Sequence, residues 1–518
     1  MTTPPAVEQS AASFGRSDGA IGIANRRHRL TLLAMCIAAF MIQLDVTIVN
    51  VALPTIQKSL GSTIGQTEWM LSGYALGLAA FIPLAGALGD RFGHRAIFVG
   101  GLIVFGGASV GCAMANGGVL LIASRILQGI GGSAMLALTL AILSQTYPAA
   151  MRSRAIGTWA AIGGIGFGAG PVAGGLLLGT YGWPSIFWIN LPFTIVAVIL
   201  TLIAVPNVHP AAARRSLDGP GIALASLGLA SLTFGLIEAI SNPWMSSPAL
   251  APIVAGLIVL AAFAWWQRRA ANPLVPPGLR RARSFVGACT VYCASYTAFA
   301  GTLYYVTMLF QNLRGWSPLH TGLSWLLMNI PFLIVAQVAG PLEQRFTPRT
   351  VISAGCLIAG LGVALLACLT DTAGFPMAAM GYLLAGAGFG ALVPGLTHVA
   401  MRDVPPNAVG AGSAVLNCAR QLGTATGLAV IGALGSVAAA SRWAAYGTAG
   451  SAGSEPQLPN VIAGRIETVV QALGDDVRHQ AAAAFLHGYR VALSACVLCL
   501  AIAAVIAIRG FRAKAENR

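Results

Sequence analysis

The chain predicts an all-α integral membrane protein with fourteen transmembrane helices, on three observations. The first is composition: 56% of the 518 residues are hydrophobic, 9% are charged and the mean hydropathy is +0.77. A soluble protein carries roughly 25% charged residues. Second, apolar runs recur along the whole length, each long enough to cross a bilayer, which takes about 20 residues. Third, one run contains a glycine-proline string, Gly157, Gly166, Gly170, Pro171, Gly174 and Gly175, with no charge from Ala155 to Tyr181. In a soluble helix each glycine would cost about 1 kcal/mol against alanine, and the proline about 3. In lipid, small residues let helices meet backbone to backbone, and a kink is tolerated when neighbours satisfy the freed carbonyl. The string therefore predicts a close-packed, bent membrane helix.

Taken in order, the spans fall near residues 30–54, 67–88, 95–115, 118–145, 154–178, 185–206, 218–240, 249–267, 285–309, 319–341, 350–370, 376–400, 409–435 and 488–508. The first follows a polar stretch and is too long for the core of a cleavable signal, so it reads as an uncleaved anchor. It holds Asp45. A glycine-rich turn, Gly86 to Arg95, separates the second from the third. Arg125 and Gln128 mark the fourth, and the glycine string marks the fifth. Glu238 closes the seventh, at the membrane interface. Asn417, Arg420 and Gln421 lie in the thirteenth. Segment 436–487 is the one long joint, Ala/Gly/Ser-rich with mixed charge and no catalytic cluster, which argues against a soluble enzyme domain. Trp69, Trp183, Trp244, Trp316 and Trp443 sit near span ends, where interfacial belts place them.

The formal charge is +15, but its distribution excludes a nucleic-acid surface. Of the 30 Lys and Arg, 22 fall in the N-terminal stretch, the even-numbered joints and the C-terminus. Six fall in the odd-numbered joints, and Arg125 and Arg420 lie within spans. This is the positive-inside bias, with both termini cytoplasmic and an even number of spans. The nine cysteines all fall in predicted spans as small apolar residues, without histidines at ligand spacing, so no metal site is expected. Lys58 and Lys514 are the only lysines and neither follows glycine, which rules out a nucleotide-binding P-loop and direct use of ATP.

The chain repeats itself. GALGDRFGHR at 86–95 returns as GPLEQRFTPR at 340–349, an offset of 254, and ILQGIG at 126–131 as LLAGAG at 383–388. The first pair links the turn after span 2 to the turn after span 10, so two extra spans lie between parallel halves. The organisation expected is a tail at 1–29, a six-helix bundle at 30–206, two extra spans with their joints at 207–283, a second bundle at 284–509 and a tail at 510–518.

These motifs resemble the fourteen-helix drug/proton antiporter family of the major facilitator superfamily, over almost the whole chain. LDVTIVNVALP, from Leu44 to Pro54, is similar to that family's first-helix signature. The turn resembles the superfamily's cytoplasmic loop motif at Gly86, Leu88, Asp90, Arg91, Gly93 and Arg95. Arg125, Gln128, Gly129 and Gly131 resemble its fourth-helix motif, the glycine string its antiporter motif, and Asn417, Arg420, Gln421 and Gly423 its thirteenth-helix motif. The chain departs at Trp183-Pro184-Ser185, and in the second turn, where Gln344 and Thr347 replace an acid and a glycine. A weaker latch in the second half is the expectation.

The resemblance implies the major facilitator fold, two six-helix bundles plus two helices, and a proton-coupled exporter of amphipathic drugs or toxic metabolites at the cell membrane. Asp45 is the one carboxylate placed deep in a span, and intramembrane acids are costly and functional by default. Arg125 lies at similar depth, either as a structural partner or as the switch that releases Asp45. Asp90, with Gly86, Arg91, Gly93 and Arg95, is implied to form a conformational latch that caps a helix N-terminus across the bundle. Asn50, Gln128, Asn417, Arg420 and Gln421 are candidates for a polar substrate cavity. No cofactor is expected, the proton being the coupling ion. A small-molecule substrate and membrane lipid are the expected partners; no residue specifies a periplasmic adaptor. An importer or facilitator of a small metabolite is the alternative, against which the full glycine string speaks. The set of Asp45, Asp90 and Arg125 speaks against a non-transporting scaffold.

Overall fold

The computed structural model describes residues 8–62, 64–207, 217–241, 246–371, 374–402, 404–405, 408–446 and 455–511, and among these there is no strand. The long helices are α1 (Glu8–Leu60), α2 (Ile64–Phe92), α3 (His94–Ala113), α4 (Gly118–Thr146), α5 (Ala149–Tyr181), α6 (Ser185–Ala204), α7 (Gly219–Ser241) and α8 (Ser247–Arg269). They continue as α9 (Arg283–Met308), α10 (Leu326–Arg345), α11 (Pro348–Ala367), α12 (Phe375–Arg402), α13 (Val409–Ala445) and α14 (Arg478–Gly510). Twelve helices among the described residues are long and apolar enough to cross a membrane, and α5 makes a thirteenth if its two bent parts form one span.

Of the fourteen spans expected, the remaining one, α9, is not apolar enough to stand with these. It has 26 residues, ample for a crossing at 1.5 Å per residue, but tyrosines and hydroxyl residues dilute its hydropathy. The packing explains why this is tolerated. α12, α13 and α14 enclose α9, and Tyr292, Ser295, Thr302 and Tyr305 are buried in protein. A helix shielded from lipid needs no apolar coat.

Helix packing repeats with a step of eight. In the first set α1 packs on α5 and α6, and α4 on α2 and α3, while α3 meets α6. In the second, α9 packs on α13 and α14, and α12 on α10 and α11, while α11 meets α14. The sets meet through α2–α13, α5–α10, α4–α13 and α5–α12. α7 and α8 pack on each other, with α7 against α2 and α13; α8 is almost wholly outside the packed protein. Asp218 ties this pair together. It accepts from Gly221 N at 2.9 Å, Trp266 Nε1 at 2.8 Å, Gln267 Nε2 at 2.6 Å and Leu274 N at 3.2 Å.

The start of the apolar part of α1, at Arg26, and the end of α14 lie on one face, here the terminal face. There the Tyr147 hydroxyl donates to His28 O at 2.7 Å, and Phe511 covers Gly287 near the start of α9. On the opposite side α13 and α14 run past their expected ends at 435 and 488, because the intervening segment is partly helical and packed. Trp443, Val461, Ile466, Val469, Ala481 and Ala484 form a small apolar core there.

Candidate functional site

Asp45 is fully buried in α1 and Arg125 almost so in α4. Arg125 Nη1 donates to Asp45 Oδ2 at 2.5 Å. Gln128, one turn along α4 on the same face, donates through Nε2 to Asp45 Oδ1 at 2.8 Å and to Ser109 Oγ at 2.9 Å. Asn190 Nδ2 from α6 reaches Asp45 Oδ1 at 3.2 Å. Arg125 has further acceptors in Met70 O at 3.0 Å and Gln128 Oε1 at 2.6 Å, and its guanidinium carbon lies 4.4 Å from the Tyr74 ring centroid. Five helices, α1, α2, α3, α4 and α6, thus meet in one hydrogen-bond network around Asp45. Ser109 and Asn190 had no role in the sequence reading. A lone asparagine at the head of an apolar span was the only signal for the second.

At the terminal face Asp90 reaches across to the other set. Its Oδ1 accepts from Gly410 N at 2.6 Å and its Oδ2 from Ala411 N at 2.7 Å. Those amides open α13, where free N–H groups and the positive end of the helix dipole favour a carboxylate. Gly86 makes the approach possible: a Cβ there would lie 2.7 Å from Gly410 O. Gly93, at φ 95°, turns the chain into α3, a conformation that glycine adopts without penalty. His94 Nε2 also pairs with Asp90 Oδ1 at 3.0 Å, and Arg95 Nη1 donates to Val205 O at 3.2 Å. Arg91 is exposed, 5.3 Å from the Phe92 ring.

The second turn carries a different contact. Glu343, one position before Gln344, is buried and pairs with His398 Nδ1 on α12 at 2.6 Å. It stays within its own set instead of crossing to the other. The same face is closed along α5–α10, where Arg154 Nε donates to Gln337 Oε1 at 3.0 Å and Gln337 Nε2 to Thr158 Oγ1 at 2.5 Å.

The glycine string bends and packs, but with two partners. α5 turns by 44° between Arg154–Gly170 and Val172–Tyr181, at Pro171. Gly157 faces Ala336 of α10, across the seam. Gly166, Gly170 and Gly174 face α1 of their own set: a Cβ on Gly166 would lie 2.5 Å from Phe40 O, and one on Gly170 would overlap Thr47 Oγ1. Gly170 therefore touches α1 of its own set and not the other set. Gly175 has open space where a Cβ would go.

Between the sets lies a cavity of about 810 Å³, counting the space at its mouth, lined in part by Gln43, Trp159, Phe299, Asn329, Phe389 and Arg420. Arg420 is ten residues along α13 from Gly410, about 15 Å further from the terminal face. Of the polar candidates only Arg420 lines it. Gln128 belongs to the Asp45 network. Asn417 donates to Leu136 O at 3.3 Å and to Ser413 O at 3.0 Å, joining α13 to α4. Asn50 is exposed and bonds Val46 O at 3.0 Å, and Gln421 is half-buried away from the lining.

The model of the Major Facilitator Superfamily matches residues 35–428. The chain belongs to the major facilitator superfamily. Among curated members it is 34% identical over 468 residues to the drug efflux pump JefA of Mycobacterium tuberculosis, covering 90% of each chain. It is 34% identical to the multidrug resistance protein Stp of that organism, over 79% of this chain and 76% of Stp. It is also 31% identical to the tetracenomycin C resistance and export protein of Streptomyces glaucescens, over 78% of this chain and 75% of the relative. Among solved structures the human organic anion transporter MFSD10 superposes with a TM-score of 0.62 at 15% identity, covering 93% of this chain and 99% of that one. The Major Facilitator proton:xylose symporter XylE gives 0.56 at 14% identity, over 93% and 95%. These two likenesses carry the fold.

Proposed function

We propose that this multi-pass membrane protein is a proton-coupled exporter of amphipathic drugs or toxic metabolites, working by alternating access with both termini cytoplasmic. The observation that carries the reading is the buried Asp45, held by Arg125, Gln128 and Asn190 in a chain whose relatives are named as multidrug resistance and efflux proteins. Protonation of Asp45 removes the charge that Arg125 faces, and Met70 O, Gln128 Oε1 and the Tyr74 ring remain to receive the guanidinium. The proton therefore converts a closed ion pair into a neutral acid and a rearranged cation without stranding either group.

Motion at α1 is passed on by packing. Thr47 and Ile48 lie against Gly170 at the bend of α5, and α5 carries Gly157 and Gly164 against α10 of the other set. On the second seam α2, which holds Met70 and Tyr74, ends at the Asp90 contact with α13. One proton per cycle contributes roughly 2.3 kcal/mol per 100 mV of membrane potential, about a fifty-fold gradient. In this conformation the terminal face is sealed and the cavity lies beyond the seal. The Lys and Arg bias supports assigning that face to the cytoplasm. The test is reconstitution: wild-type proteoliposomes should couple substrate movement to an imposed proton gradient, and Asp45→Asn should bind substrate yet fail to couple. Gradient-driven transport by Asp45→Asn at the wild-type rate sinks the proposal.

A further inference from the structure

The cavity is lopsided in its chemistry. Arg420 is the one charged residue among the described residues that line it. No carboxylate pairs with Arg420 among the described residues; its guanidinium carbon instead sits 5.6 Å from the Tyr296 ring centroid. Its Nε–H is buried without an acceptor. On α5 Trp159, which also lines the cavity, is 3% exposed, and its indole N–H lacks an acceptor. Both groups can only donate, and a buried donor left unmade costs free energy. They come from different sets, α13 and α5. The same lining holds an aromatic wall: Tyr296 lies 5.7 Å from Phe299, which meets Phe389 edge-on at 5.2 Å.

We propose that the cavity selects planar aromatic anions, whose acidic group accepts from Arg420 and Trp159 while the ring system lies along Tyr296, Phe299 and Phe389. This deepens the export reading above, since it names what the same cavity carries. A cation of equal size meets a guanidinium and no counter-charge, so the cavity rejects it by like-charge repulsion as well as by lacking an acceptor for it. An uncharged analogue keeps the wall and loses the ion pair with Arg420. A ligand bridging α5 and α13 also touches both sets at once, which binds its occupancy to their relative position.

The test uses the full chain in lipid nanodiscs with three probes that share one fluorophore: pyrenesulfonate, pyrenemethanol and pyrenemethylammonium, with empty nanodiscs giving the lipid background. Wild type should bind the sulfonate at least about tenfold more tightly than the ammonium, the scale of one charge-assisted bond. Arg420→Gln should lose that preference and leave pyrenemethanol within about twofold, while Arg420→Lys, keeping the charge but not the planar fork, should retain part of it. Trp159→Phe should weaken only the sulfonate. Equal wild-type affinity for sulfonate and ammonium overturns the inference, as does an Arg420→Gln variant that loses sulfonate and alcohol alike. Binding is read without a gradient, and gradient-driven transport by Asp45→Asn is scored separately. Missing charge preference with intact proton coupling thus sinks this inference alone, and the converse sinks only the export reading.

Discussion

Thr47 on α1 fills the space that a side chain on Gly170 of α5 would need, two residues along the chain from Asp45. The helix that carries Asp45 and the bent helix therefore touch at the point where α5 turns. Gly170→Leu should fold and reach the membrane yet lose efflux, since overpacking typically costs about 1–3 kcal/mol. Thr47→Gly in the same chain should restore part of it. Gly175 and Gly179, with nothing within 4 Å of a built Cβ, should both accept alanine with unchanged export, although only the first belongs to the string. Normal efflux in Gly170→Leu would show that this contact does not govern the cycle.

The Asp45–Arg125 pair separates stability from coupling. Removing one member of a buried pair and stranding the other costs about 3–5 kcal/mol, so Arg125→Ala should unfold at a clearly lower temperature in detergent. Asp45→Asn should lose much less, because Arg125 keeps Met70 O, Gln128 Oε1 and Tyr74 as partners. The double variant Asp45→Asn/Arg125→Gln should regain most of the stability and none of the proton coupling. A double variant that unfolds like Arg125→Ala would contradict the pairing argument.

Asp90 should act on the conformational equilibrium. Hydrogen bonds to a charged group contribute about 1.5–3 kcal/mol, and Asp90 makes two to α13. Asp90→Ala should move the population away from the sealed terminal face by roughly tenfold or more, with transport reduced and probe binding kept. Spin labels at Phe92 and Phe346, exposed in the corresponding turns of the two sets, would read this as a longer distance in the variant. An unchanged distribution would assign Asp90 a local role only.

Asp218 should matter for stability and not for transport chemistry. Its four bonds join α7, α8 and the segment leading to α9. Asp218→Ala leaves several donors unmatched, at about 1–3 kcal/mol each before relaxation. Thermal unfolding should begin earlier, with the cavity's probe affinities unchanged. If Asp218→Ala melts with wild type, the α7–α8 pair is held by apolar packing alone.

Local chemistry made Asp45 and Arg125 legible from sequence, since a charge in lipid has few roles, and the family resemblance pointed to Asp90 in its glycine turn. Residues that complete a site through other helices were not legible. Asn190 reaches Asp45, and Ser109 reaches Gln128, only because α3 and α6 pack around α4 and α1, and small polar residues carry no periodicity that reveals such convergence. Gln337 and Trp159 were silent for the same reason. The repeat placed an expected acid at Gln344, whereas Glu343 lies one residue earlier and, on a helix, points elsewhere, to His398. Gly170 carries the signal of a close contact but not of its partner, since small residues specify closeness and not identity. Asn50 and Gln421 share helices with site residues and face away from the cavity.

Weak hydropathy in α9 bears on how the chain enters the bilayer during synthesis. A helix carrying polar groups at its centre inserts poorly when presented alone. α9 emerges directly after the apolar α7–α8 pair, but the helices that enclose it, α12, α13 and α14, are made after it. Its lasting position is therefore settled by segments translated later, so the second bundle commits to lipid as a group. A chain truncated just beyond Arg314 is expected to leave α9 protease-accessible, whereas extension through α14 should protect it.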